Sequence, residues 1–402
     1  MRIDRLKVEN YRALRSLELT ELTPLTVLLG PNGSGKSTVF DVFSFLSECF
    51  TASLRSAWEK RGRFKELRTR GQTGPIVFEL TYRETPDEQP TTYTLTVDED
   101  AGGPFVASEI LKWRRVERNQ PGTPYQVLNF ANGKGWVIPG ERPLKDDKKV
   151  WETLDERDLL AVSTLGRLQS NPRVAALRRF ITSWYVSYLS IDDTRGQPEP
   201  GAQERLSRTG DNLANVIQFL KERHPDRLVE IFARLSQRVP RLERVLSDPM
   251  PDGRLLLTIK DAPFDEPVLA RFASDGTLKM LAYLMVLHDP TPPPFIGIEE
   301  PENFLHPRLL PGLAEECRSI TERSQLLVTT HSPFFLDVLQ PDQVRVLYRD
   351  ERGYTNAVRV ADIPGIPDFM AEGASLGHLW LENQFEVGDS LTRSGGPRRS
   401  RR

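Results

Sequence analysis

The stretch LTVLLGPNGSGKSTVFDVFSFL, from Leu25 to Leu46, constrains the fold more than any other part of this chain. Five residues with four apolar side chains read as a buried strand. GPNGSGKS, Gly30 to Ser37, is a glycine-rich loop, and the apolar residues after it recur at helical spacing. The loop matches the Walker A pattern: glycine, four residues, glycine, lysine, then serine or threonine. Glycines let the backbone curl until its amides converge on phosphate oxygens, and the following helix adds its positive N-terminal end. Asn32, Gly33, Ser34, Gly35, Lys36, Ser37 and Thr38 are therefore candidate nucleotide-binding residues, with Lys36 reaching the outer phosphates and the Ser37 hydroxyl on magnesium. The alternative, a fortuitous glycine turn capping a helix, leaves the strand before the loop unexplained.

A second apolar strand, FIGIEE, delivers Glu299 and Glu300 to its end, as a Walker B strand does. Beside bound phosphates Glu299 would hold magnesium, and Glu300 would orient and activate an attacking water. Glu302 completes a cluster of acids and reads as a first-turn residue of a helix beginning near Pro301. QLLVTTHSP supplies a further strand ending at His331, which would donate a hydrogen bond to a terminal phosphate; alone, such a histidine reads as structural. FASDGTLKMLAYLMVL opens on a Ser-Asp-Gly-Thr turn. Ser274 and Gly276 suit a phosphate, and by itself the turn also reads as an ordinary N-cap made by Ser274 or Asp275.

Around these motifs the expected class is α/β, with a mixed sheet, an antiparallel subdomain and an inserted helical region. Residues 1–150 read as an N-terminal lobe, with the alternating strands GPIVFELTYRE and TTYTLTVDED. Residues 151–250 read as helical, including PRVAALRRFITSWYVSYL, and are interrupted by DDTRGQPEPGAQERLSRTG as a flexible or ligand-dependent loop. Residues 251–365 form a C-terminal lobe whose alternating elements imply a parallel sheet, and 366–402 form a tail ending in the basic, polar SGGPRRSRR. At 402 residues, with 38% hydrophobic and 27% charged side chains and a formal net charge of -2, no bulk field draws the chain to nucleic acid or an anionic membrane. No signal sequence or membrane span is evident, so a cytoplasmic location is expected. Cys49 and Cys317 have no metal-ligand spacing.

Taken in order, ENYRAL, GPNGSGKST, ASDGT, FIGIEEPENFLHP and LVTTHSP resemble the ABC-type ATPases of the RecF, chromosome-maintenance (SMC) and overcoming-lysogenization-defect (OLD) group. The resemblance is strongest to the stand-alone ATPases classed as AAA domain 21 or AAA15, several of which act in antiviral defence. It implies an ABC-type P-loop ATPase head that uses ATP and Mg2+. Two heads would close head to tail on two nucleotides, as a homodimer or a higher oligomer built from such dimers. Ser274 and Gly276 would then touch the partner's ATP, Leu305 and His306 would form the dimer-facing D-loop, and His331 would be the switch histidine. Arg12 falls where the group places a basic residue near the nucleotide. The signature is SDGT rather than the SGGQ of transporters, and Glu299 replaces the usual aspartate. Gln72 is a candidate for the Q-loop. After His331 about 70 residues remain, fewer than a Toprim nuclease needs, so a nuclease or toxin effector would be a separate chain.

Two functions from different classes remain open on sequence. One is a dimerising ATPase switch that controls an effector protein; the other is a RecF-like repair or chromosome-associated ATPase that clamps duplex DNA. A scaffold that binds ATP without hydrolysing it is opposed by Glu300. Nucleic acid would meet Arg55, Lys60, Arg61, Arg63, Lys65, Arg68 and Arg70, with Trp58 and Phe64 interleaved. Such a run reads equally as a solvated helix face.

Overall fold

The computed structural model describes residues 1–387, apart from residues 115, 118–119, 123, 141–146, 200 and 202. The terminal SGGPRRSRR lies outside the described residues. Two compact units are present: Met1–Trp184 with Pro341–Pro367 and the residues from Asn383 onward, and Tyr185–Gln340 with Asp368–Glu382.

In the first unit the alternating segments form an eight-stranded antiparallel sheet. Its spatial order is Val150–Thr153, Lys134–Val137, Tyr125–Ala131, Gly103–Trp113, Thr91–Asp100, Ile76–Arg83, Arg2–Tyr11 and Leu14–Leu19. Register puts like faces together: Leu6 opposes Leu19 on one side and Leu80 on the other. The period-2 pattern is literal in Ile76–Arg83, where every second residue is buried. Helix Lys36–Thr51 covers this sheet, with Phe45 5.8 Å from the Tyr11 ring and 5.4 Å from that of Phe78. Strand Leu25–Leu29, fully buried, pairs in parallel with Val344–Arg349, and that strand pairs antiparallel with Thr355–Arg359.

In the second unit three short strands run parallel: Tyr185–Ser187, Phe295–Glu299 and Gln325–Thr330. Helices Asp275–Leu287 and Leu310–Ser319 belong to this unit, and every residue of the first from Thr277 to Leu287 is buried. Its remaining strands, Leu242–Pro249, Leu255–Asp261 and Val268–Leu269, are antiparallel. Those three strands form a sheet of their own, and the mixed pairing expected from the sequence is found at Val344–Arg349, parallel to Leu25–Leu29 and antiparallel to Thr355–Arg359. Helices Leu213–Arg223 and Pro225–Arg238 match their sequence patterns.

Three expectations change. PRVAALRRFITSWYVSYL is a helix only over Pro172–Thr182. Its aromatic and β-branched end, Tyr185–Ser187, is a strand because it pairs in register with Ile296–Ile298. No helix starts at Pro301; the chain turns from there until Pro307–Leu309. The described residues of the loop before Leu213 are pinned, since Asn215 Nδ2 donates to the carbonyls of Glu199 (2.8 Å) and Gly201 (3.2 Å), and Asn212 Oδ1 accepts from Ser207 N at 2.8 Å. Within residues 366–402 the chain forms helices Ile366–Ala371 and Leu376–Leu381. Among the described residues no helix is long and apolar enough to cross a membrane.

Candidate functional site

The phosphate-loop half lies in the first unit. Gly35 precedes the helix at φ +106°, and a Cβ there would sit 2.2 Å from Thr355 Oγ1. A Cβ on Gly30 would fall 2.4 Å from the Leu347 carbonyl oxygen. Both positions demand glycine, for backbone conformation in one case and for space in both. Lys36 is 4% exposed, and its Nζ donates to the carbonyls of Gly30 (2.8 Å) and Pro31 (3.2 Å), which folds it back over the loop. Ser34 Oγ is buried with no hydrogen-bond partner among the described residues. Asn32, Gly33 and Ser37 are exposed, and Thr38 is half-buried. A buried hydroxyl, a glycine-lined cradle and a lysine folded over the loop carbonyls fit a phosphate chain.

Around this loop Asp41, one turn further along the helix, gathers three groups. Tyr11 Oη donates to it at 2.6 Å, Arg12 Nη1 lies 3.0 Å away, and Arg61 pairs at 2.9 Å. Arg12 is at φ +49°, held by its backbone N–H on the Leu67 carbonyl. Gln72 sits in a turn, where its amide nitrogen meets the Tyr354 hydroxyl at 3.3 Å. Two residues that sequence reasoning missed seal the loop: Arg349 Nε donates to the Gly33 carbonyl, and Thr355 Oγ1 to that of Ser34 at 2.9 Å. Each is more than 300 positions from its partner, so no local pattern announces it.

The carboxylate half lies in the second unit. Strand Phe295–Glu299 ends at half-buried Glu299. The next residue, Glu300, is left-handed at φ +41°, and its N–H donates to Thr329, both to the carbonyl (3.0 Å) and to Oγ1 (3.1 Å). Asn303 Nδ2 donates to Glu300 Oε2 at 3.2 Å. Glu302, expected to support a helix start, does something else. Its Oε1 accepts from Thr330 Oγ1 (2.9 Å) and from the backbone N–H of His331 (2.7 Å), and lies 3.1 Å from His331 Nδ1. The reason is geometric, because with no helix at Pro301 the side chain turns back across the end of the neighbouring strand. His331 is exposed, and its Nδ1 is 3.9 Å from Glu300. Glu300, Glu302 and His331 are thus brought together.

Ser274 is an N-cap, as one reading held: its Oγ accepts from Thr277 N at 3.2 Å. It is also exposed. Arg195, another residue without a sequence signal, holds the turn from below through the Ala273 carbonyl (3.0 Å) and Asp275. Ser274 to Thr277, Phe304, His306 and Arg238 line a groove of about 790 Å³. Phe272 and Phe304, on the segments flanking this groove, are 68% and 66% exposed.

The basic run behaves as a mixed set. Arg61 is nearly buried between Asp41 and Glu48, Arg55 pairs with Asp158 and Arg68 with Asp98. Trp58 and Phe64 are each 4% exposed, and the Arg63 and Arg68 guanidinium groups lie over their rings at 5.3 Å and 4.7 Å. Lys60, Arg63, Lys65 and Arg70 remain exposed. Both cysteines are buried, and burial pushes their thiols well above the ordinary range, so neither is a nucleophile.

Residues 25–337 match the family model described as "AAA domain, putative AbiEii toxin, Type IV TA system". Over 383 residues the chain is 26% identical to an OLD nuclease of Thermus scotoductus (strain ATCC 700910 / SA-01), covering 90% of this chain and 65% of that protein. It therefore spans just under two thirds of that relative's length. Among solved structures, an SMC head bound to the C-winged helix domain of ScpA superimposes with a TM-score of 0.54 at 14% identity, covering 89% of this chain and 97% of the other. The SMC head domain from Thermotoga maritima matches with a TM-score of 0.43 at 14% identity, covering 89% and 99%.

Proposed function

Since the chain belongs to this AAA-domain family and is an ABC-type ATPase of the RecF, SMC and OLD group, we propose that it hydrolyses ATP, dimerises around the nucleotide and so switches a separately encoded effector, a nuclease or toxin, in antiviral defence. The observation that carries hydrolysis is the end of strand Phe295–Glu299. There Glu300 is held by two bonds to Thr329 and one from Asn303, with His331 beside it.

The roles follow from the chemistry of each group. Main-chain amides from Asn32 to Thr38 and the Lys36 ammonium take the phosphates, and Arg12 stands at the same helix. Ser37 and Glu299 would hold Mg2+, which neutralises charge on the outer phosphates when bound. Glu300 accepts the proton of a water whose oxygen attacks the γ-phosphorus; the bond to the bridging oxygen breaks, giving ADP and phosphate. His331 donates to the terminal phosphoryl oxygens as their charge shifts.

Dimerisation is supported by the exposure of Ser274 and by the two bare phenylalanines near it, a pattern suited to a partner surface. Ser274 and Gly276 would complete the partner's site, and Leu305 and His306 would face it. Arg55, Arg61 and Arg68 are each paired with a carboxylate, which reduces the cationic surface that a duplex clamp would set against phosphates and favours the switch.

The test is Glu300→Gln. It keeps the shape and the contacts but removes the base, so ATP should accumulate unhydrolysed and the variant should run as a dimer in ATP and a monomer in ADP by light scattering. Wild-type turnover in that variant would refute the assignment.

A further inference from the structure

Helix Asp275–Leu287 carries a buried lysine that none of the motifs explains. Lys279 is 4% exposed, in the middle of an apolar stretch, and burial lowers its ammonium to about 8 against the opposing pull of Glu302 and Glu300. Burying a lysine is costly unless its donors are used. Its Nζ donates to the Asn303 carbonyl at 2.7 Å, and lies 5.6 Å from the Phe304 ring and 5.7 Å from that of Tyr283. Asn303 is bonded to Glu300 twice, from its backbone N–H to the Glu300 carbonyl (3.1 Å) and from Nδ2 to Oε2 (3.2 Å).

The backbone over this stretch explains why a clamp is needed. Glu300 and Phe304 both occupy left-handed conformations, at φ +41° and +67°, and neither is glycine. Such conformations are unfavourable for residues other than glycine and persist only where surrounding contacts over-determine them. Thr329 fixes the start of the segment through the Glu300 N–H. Its other end is fixed by Lys279 through the Asn303 carbonyl.

We propose that Lys279 and Asn303 are positioning residues for hydrolysis: the lysine clamps the Asn303 main chain, and the Asn303 amide orients the Glu300 carboxylate. This rests on the reading of Glu300 as the base. The bond from Asn303 Nδ2 to Oε2 limits rotation of the Glu300 carboxylate and so sets the direction in which it would take a water proton. Misplacement of a base by about 1 Å costs on the order of a hundredfold in rate. The same contact ties Glu300 to the helix that begins at Ser274.

Steady-state hydrolysis and binding of a fluorescent ATP analogue would be measured for Asn303→Ala, Lys279→Met, Lys279→Arg and the double variant, beside Glu300→Gln. Asn303 is exposed, so its truncation should not impair folding even if Lys279→Met does. The expected result is a kcat reduced at least tenfold in Asn303→Ala, with KM and analogue affinity within about twofold of wild type, which is the signature of an interaction made for the reaction rather than for binding. Lys279→Arg, which keeps a donor, should recover part of the kcat lost in Lys279→Met. The double variant should be no slower than the worse single one, because both act through one carboxylate. A kcat within twofold of wild type in Asn303→Ala, while Glu300→Gln abolishes turnover, overturns this proposal and leaves Glu300 as the base. Full turnover in Glu300→Gln overturns both.

Discussion

Glu302 shows how much one side chain's direction decides. Its Oε1 meets a hydroxyl, a main-chain N–H and an imidazole nitrogen, all from Thr330 and His331. Hydrogen bonds to a charged acceptor contribute about 1.5–3 kcal/mol each, so this carboxylate fixes the strand end that presents His331. Glu302→Ala should lower stability by roughly 1–3 kcal/mol and slow hydrolysis while leaving nucleotide binding intact; urea titration and an analogue-binding assay would show it. Turnover equal to wild type would mean that His331 needs no such support. The acids of EEPE were legible as a cluster, and Glu299 and Glu300 could be placed from the strand before them. The part played by Glu302 was not, because it depends on a backbone turn at Pro301 that the sequence pattern disguises as a helix start.

Among the elements, the short helix Ala161–Leu165 is fastened by a residue from a distant strand. Glu109, fully buried, accepts from the N–H groups of Ala161 and Val162 and from the Tyr93 hydroxyl. Burial raises its carboxyl from 4.5 to about 7, against the pull of those donors. Between those values the folded chain keeps a proton that the unfolded chain releases, so this contribution to stability is complete below pH 4.5 and is lost as pH rises through 7. Glu109→Gln stays neutral throughout. Its urea midpoint relative to wild type should therefore shift in the variant's favour as pH increases from 4.5 to 8, and a difference that stays flat would show that Glu109 does not titrate in this range. Elements with strong periodicity, such as Ile76–Arg83 and Pro225–Arg238, were readable beforehand. Strand Tyr185–Ser187 was hidden because three residues are too few to break a helical pattern; only its pairing with Phe295–Glu299 reveals it.

For the whole molecule, the central expectation is that no site works within one chain. Ser274→Arg places a bulky charge at an exposed N-cap and should abolish ATP-driven dimerisation and hydrolysis without affecting nucleotide binding to the monomer. Lys36→Ala should lose binding directly. Mixed together, the two inactive variants should recover part of the wild-type rate, because a mixed dimer holds one site with an intact Lys36 and an intact Ser274. No recovery over a range of concentrations would argue that the signature turn does not act across subunits. A net charge of -2 adds no long-range attraction to such a pair, so its closure would depend on nucleotide and on local contacts such as Phe272 and Phe304.

The closure of the phosphate loop by Arg349 and Thr355 also sets an order of events during synthesis. Strand Leu25–Leu29 and its loop leave the ribosome early, yet Val344–Arg349, which flanks that strand, and Thr355, which fills the space beside Gly35, are made more than 300 residues later. A growing chain therefore carries an unfinished loop until those residues have been made. Nucleotide should not be held by a product that lacks these strands.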